Sequence, residues 1–215
     1  MRPKQFTMSL ATAIDPNGVF QDQTLGRAGN FTLNGAEVVD GEWVSPDAVA
    51  KKIGFESAAN LSAVTITVTG FRDANRELPI TETLAGPNAN TVETTNYFYS
   101  IQTISADGAV ASNIEAGSVD EAASRILPLN WRGGNVAFNI AVSGTVSYTV
   151  QQTFDNTADE DEHPFTWTDH DSTALVAATT TQNGNYIAIP RAMQIIINSY
   201  TAGASLEVSA SQSDL

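Results

Sequence analysis

Asn60-Leu61-Ser62-Ala63-Val64-Thr65-Ile66-Thr67-Val68-Thr69-Gly70 is the stretch that decides the fold class. Val64, Ile66 and Val68 alternate with Thr65, Thr67 and Thr69, and successive side chains of a strand point to opposite faces, so aliphatics collect on one face and hydroxyls on the other. Gly70 ends the run. The same logic continues through residues 78–84, 97–104 and 109–115. Asp73-Ala74-Asn75, Gly86-Pro87-Asn88-Ala89-Asn90 and Asp107-Gly108 supply the turns between them. Four runs of strand length with short connections predict an antiparallel β-meander up to Gly117.

Upstream, residues 1–30 are polar and contain the turn-forming strings Asp15-Pro16-Asn17-Gly18 and Gly26-Arg27-Ala28-Gly29-Asn30, which read as an extended N-terminal arm. Arg2, Lys4 and Arg27 make this the most basic part of the chain. Phe31, Leu33, Val38 and Trp43 are broken by Asn34-Gly35, a favoured pair for a type I′ hairpin turn. Ser45-Pro46-Asp47 can start a single helical turn, since Pro fits a first helical position.

Downstream, Gly117 to Glu121 reads as a boundary. Beyond it the strand pattern returns over residues 136–142, 146–154, 165–167, 186–189, 193–200 and 206–210, with Ile195-Ile196-Ile197 marking a strand covered on both faces. No long segment has a helical period. The expected fold is therefore all-β, an antiparallel sandwich of jelly-roll-like type. Its parts are an arm over residues 1–30, a meander-rich region over 31–117 and a second β-rich region over 118–215. The last two form either one sandwich or two halves.

The chain has 215 residues, 10 basic and 24 acidic, for a net charge of -14, and no cysteine. A field of that sign repels phosphate backbones and anionic headgroups, so neither nucleic acid nor membrane is an expected partner. Absence of cysteine removes thiol nucleophiles, thiolate metal sites and disulfides together. The N-terminus has no apolar run of signal-peptide length, so the protein is expected to be soluble when made, and the lack of cysteine is compatible with a reducing cytoplasm.

Asp159-Glu160-Asp161-Glu162-His163 and Asp169-His170-Asp171 hold both histidines of the chain. Carboxylate and imidazole are the ligands a divalent ion takes, which makes Asp159, Asp161, His163, Asp169, His170 and Asp171 the candidates for a metal. Their spacing matches neither a zinc-protease helix nor an EF-hand loop, so a solvated acidic loop without a cofactor is the expectation. An exposed run of acids lacks the walled cleft that a glycosidase needs to separate two carboxyl pKa values. There is no Gly-x-Ser-x-Gly elbow, and Gly26 to Gly29 precedes no helix. Trp43, Trp131 and Trp167 could stack sugars, but three tryptophans scattered through a β protein are expected in cores and interfaces. Enzymatic activity is not expected.

Several strings together resemble a group of small β-rich virion proteins of tailed bacteriophages. They are Asn60 to Gly70 as quoted; Ile80-Thr81-Glu82-Thr83-Leu84-Ala85-Gly86-Pro87-Asn88-Ala89-Asn90-Thr91; and Tyr97 through Ser105 to Asp107-Gly108-Ala109-Val110. Those proteins commonly show a strand of the NLSGVTFTITG kind, an ETITGPN-like loop and a YF-x-x-V-x-x-I segment. Ser147-Tyr148 to Phe154-Asp155, Phe165-Thr166-Trp167 with Asp169-His170, and Tyr186, Pro190-Arg191-Ala192 and Ile195 to Ile197 are similar to their second halves. The likeness covers residues 30 to 210 and carries over no catalytic residue.

What it implies is a capsid decoration or cement protein on the outer surface of the virion. The implied partners are the major capsid protein and further copies of this chain, as a homo-oligomer such as a trimer. Two alternatives stand beside it. One is a tail or head-to-tail joining component; the other is a carbohydrate-binding or host-adhesion module using Trp131, Trp167 and the acidic loop.

Overall fold

The computed structural model describes residues 4–130, 132–157 and 165–212. In chain order its strands are β1 (Lys4–Leu10), β2 (Phe20–Leu25), β3 (Gly29–Asn30), β4 (Val38–Val39), β5 (Glu42–Val44) and β6 (Ala50–Asn60). Then come β7 (Thr65–Phe71), β8 (Pro79–Ala85), β9 (Asn88–Glu93), β10 (Ser100–Ala106), β11 (Val110–Ala123) and β12 (Leu127–Pro128). The last are β13 (Val136–Ser143), β14 (Val146–Thr153), β15 (Thr168–Asp169), β16 (Gln182–Tyr186), β17 (Ala192–Tyr200) and β18 (Ala204–Gln212). The fold is all-β and antiparallel, and the described residues include a short 3-10 turn at Thr173–Leu175. Among the described residues no helix is long and apolar enough to cross a membrane.

The chain divides into two compact units, Ile14–Asp120 and Met1–Ala13 with Glu121–Leu215, called here the middle and the terminal unit. The division between Asp120 and Glu121 is not in a loop. It lies inside β11, which runs unbroken for 14 residues.

In the middle unit one sheet has the order β4-β5-β10-β7-β8 with β3 on β10, and β11 lies between β2 and β6 in the facing sheet, which ends in β9. Their inner faces meet in a core that includes Trp43, Ile53, Phe55, Ile66, Val68, Phe98, Ile101, Ile104 and Ile114. Phe20 stacks on Phe31 at 4.7 Å between ring centroids, which fastens β2 to that core. Ile66 and Val68 face inward and Thr65, Thr67 and Thr69 are half-buried on the other face, as their alternation predicts.

The simple meander is corrected. β7 and β8 form a hairpin and β10 returns beside β7, but between them β9 leaves to pair with β6 in the facing sheet. The string Gly86 to Asn90, read as a loop, thus contains the start of a strand. The hairpin turn expected at Asn34-Gly35 is also displaced. It sits at Asp40-Gly41, both at positive φ (53° and 82°), between β4 and β5. Gly35 is needed for a different reason: a Cβ there would run into the backbone carbonyl of Gly18.

In the terminal unit one sheet has the order β1-β18-β13-β16, and the other places β17 between β14 and the end of β11, with β12 also on β17 and β15 on β14. Val136, Phe138 and Ile140 of β13 and Leu206, Val208 and Ala210 of β18 turn buried faces inward. Ile195, Ile196 and Ile197 are all buried, as expected for a strand paired and covered on both sides. The arm expected over residues 1–30 takes a different form. β1 pairs with β18 over seven residues and buries Met8 and Leu10, while β2 is fixed to β11 in the middle unit. The alternation of Phe6, Met8 and Leu10 is a strand pattern inside a stretch whose composition is polar.

Candidate functional site

Asp159, Asp161 and His163, with Trp131, lie outside the described residues. Asp169 is exposed at the end of β15, where its carboxylate accepts from Gln151 Nε2 at 3.0 Å. Asp171 is exposed as well. His170 between them is buried, because alternation turns it to the opposite face. Its N–H donates to the Val150 carbonyl and its ring packs on Tyr186 at 4.9 Å and on Phe138 at 5.7 Å.

The Ser172 N–H donates to His170 Nδ1 at 3.0 Å, so the neutral ring carries its proton on Nε2. That Nε2 and the Tyr186 hydroxyl are buried without a hydrogen-bond partner. Burial, then the nearby charge of Asp171, pushes the Tyr186 hydroxyl well above the usual tyrosine range. The structure therefore separates His170 from Asp169 and Asp171 and makes it part of an aromatic core. Among the described residues no three His, Cys, Asp or Glu side chains are grouped to hold a metal.

Trp43 does not belong to a stacking platform. It is fully buried in the middle unit and donates from Nε1 to Glu37 Oε2 at 2.8 Å. Trp167, in the terminal unit, is half-buried.

The group that sequence reasoning missed lies around Glu37. Lys51 Nζ is 2.7 Å from Asp47 Oδ2, and the two side chains are 0% and 1% exposed. β6 explains the lysine: Lys51, Ile53 and Phe55 are two apart and share the core face. Asp47 reaches it because the chain turns sharply before β6, with Ala48 at φ 55°. Burial pushes the Glu37 carboxyl above the usual range, against the opposing pull of its Trp43 hydrogen bond and the Lys51 charge; Asp15 and Asp47 raise it further. Glu37 Oε1 and Ser45 Oγ are buried and without a hydrogen-bond partner. Gly18 lets the carboxyl lie there, for a Cβ on it would come within 2.8 Å. The signal was present in the sequence as a lysine in register with two core residues.

The outer surface of the middle unit is acidic. An open depression of roughly 450 Å³ is lined by Asp22, Glu56 and Glu115 with Ser57 and Asn113. A second, of roughly 300 Å³, places Glu56, Glu93 and Asp120 around Ile14 and Val119. Neither is a closed, dry pocket of the kind that activates a nucleophile. No protein-family model matches the chain, and no curated protein matches it.

Proposed function

We propose that the chain is a structural protein of a tailed-phage virion, a decoration or cement protein that binds the outer capsid lattice and stabilises the head through protein contacts. One observation carries this reading: the three strings that gave the resemblance, Asn60 to Gly70, Ile80 to Thr91 and Tyr97 to Val110, fall within one sandwich. They contribute β7, β8, β10, the first part of β9 and the first residue of β11.

The acids of these strings are used as scaffold. Glu82 accepts from the backbone N–H groups of Thr95 and Asn96 at 2.6 and 2.9 Å. Asp107 accepts from the Thr65 N–H at 2.7 Å, and this bond holds its carboxyl below the usual range. Nearby Asp73 accepts from the N–H groups of Asn75, Glu77 and Leu78. Carboxylates spent on fixing turns suit a rigid module that presents surface, and a net charge of -14 keeps unassembled copies apart.

The test is addition of the purified protein to heads that lack it, followed by sedimentation and a thermal challenge. Saturable co-sedimentation and a rise in the temperature of genome release support the reading. Protein that stays in the supernatant at every ratio contradicts it.

A further inference from the structure

From the Glu37, Asp47 and Lys51 cluster we propose that Lys51 Nζ and Asp47 Cγ join in an intramolecular amide, a covalent cross-link inside the middle unit. The amine and the carboxyl group are already neighbours, with Nζ 2.7 Å from Asp47 Oδ2 and both side chains out of contact with solvent. An ion pair in that position carries the desolvation cost of two charges, which transfer of the proton from ammonium to carboxylate relieves. In the proposed step the Nζ proton first passes to the Asp47 carboxylate, which leaves an amine facing a carboxylic acid. These are the reacting forms.

The step needs no cofactor and no oxidant. The Nζ lone pair attacks Cγ of the protonated Asp47, giving a tetrahedral carbon. A proton from Nζ and the hydroxyl from Cγ then leave together as one water, and the Cγ–Nζ amide remains. The developing alkoxide and the departing hydroxyl both want a proton donor close by. Glu37 lies within electrostatic reach of both partners and keeps its proton to a higher pH than an exposed glutamate. Its Oε2 is held by Trp43, while Oε1 is buried and has no hydrogen-bond partner. The product replaces two buried charges with one neutral amide, which removes the cost that drives the step.

The experiment is intact mass spectrometry of the full-length protein, unfolded in acid, followed by tryptic mapping. The expected mass is lower than that of the sequence by one water. Trypsin then fails to cut after Lys51, the deficit lies within residues 47–51, and Lys51 is not acylated by an amine reagent in denaturant. A succinimide at Asp47 would show the same deficit but leave the Lys51 amine reactive, and that result overturns the proposal. So does a full mass in protein aged in its folded state. Lys51→Met is expected to keep the full mass, and a water deficit that persists in it places the loss elsewhere and also overturns the proposal. Glu37→Gln is expected to slow the appearance of the deficit at least tenfold while circular dichroism stays that of a β protein; an unchanged rate removes Glu37 from the step.

Discussion

Trp43 shows what one residue does in a chain of this composition. It is fully buried, its ring fills the core of the middle unit, and its N–H satisfies one oxygen of Glu37. Trp43→Ala removes the ring and leaves that carboxyl with one partner fewer, so a loss of about 3–5 kcal/mol is expected in urea unfolding. Glycine gives a paired test. A Cβ at Gly35 meets the Gly18 backbone, whereas one at Gly26 meets nothing within 4 Å. Gly35→Ala is expected to cost about 1–3 kcal/mol and Gly26→Ala to be close to neutral. Equal effects would contradict the packing described. The tyrosines give a pH signature: burial pushes the Tyr148 hydroxyl up to about 12 from 10.0, and Tyr186 is raised further. A raised folded value means stability that is intact below about 10 and lost as pH climbs through the folded values. Ionisation of these two, read as the tyrosinate absorbance lost in Tyr148→Phe and Tyr186→Phe, should come only late or on unfolding. Ionisation of either one near 10 in intact protein would contradict its burial.

Elements differ in how much of them the sequence exposes. The strands with strict alternation, β7, β13 and β18, were legible because burial on one face writes a period of two into the residues. β17 was legible for the opposite reason, its unbroken apolar run matching burial on both faces. β9 was not, since Asn88-Ala89-Asn90-Thr91 exposes almost every side chain and its place is set by backbone pairing to β6. β1 was hidden by the polar residues between Phe6, Met8 and Leu10. Of the site candidates, His170 could be named but not oriented, because its neighbours in space, Phe138 and Tyr186, are distant in sequence. Lys51 was missed because a charged residue in a strand is ordinarily assigned to the solvent face. β1 also changes a forecast. An arm would be dispensable for folding, but a seven-residue strand on β18 is not. Leu10→Asp places a charge in a fully buried position and is expected to lower the melting temperature of the terminal unit by several degrees, read by tryptophan fluorescence and hydrogen exchange along β18. Unchanged protection of β18 would contradict the pairing.

At the scale of the whole chain, the large apolar side chains exposed among the described residues are Ile14, Val39, Phe154 and Ile187, scattered singly along the sequence. Ile187 and Phe154 are 79% and 61% exposed. Such a surface makes contacts through shape and polar pairing more than through one greasy patch. In a lattice protein those contacts are repeated over the head, so the copy number distinguishes it from a tail or vertex component. The measurement that tests the lattice reading most directly is the stoichiometry of this chain against the major capsid protein in purified particles, by quantitative mass spectrometry. A near-equal or simple fractional ratio is expected. A few copies per particle would move the chain to the tail or the joining vertex, and its absence from particles would contradict the account.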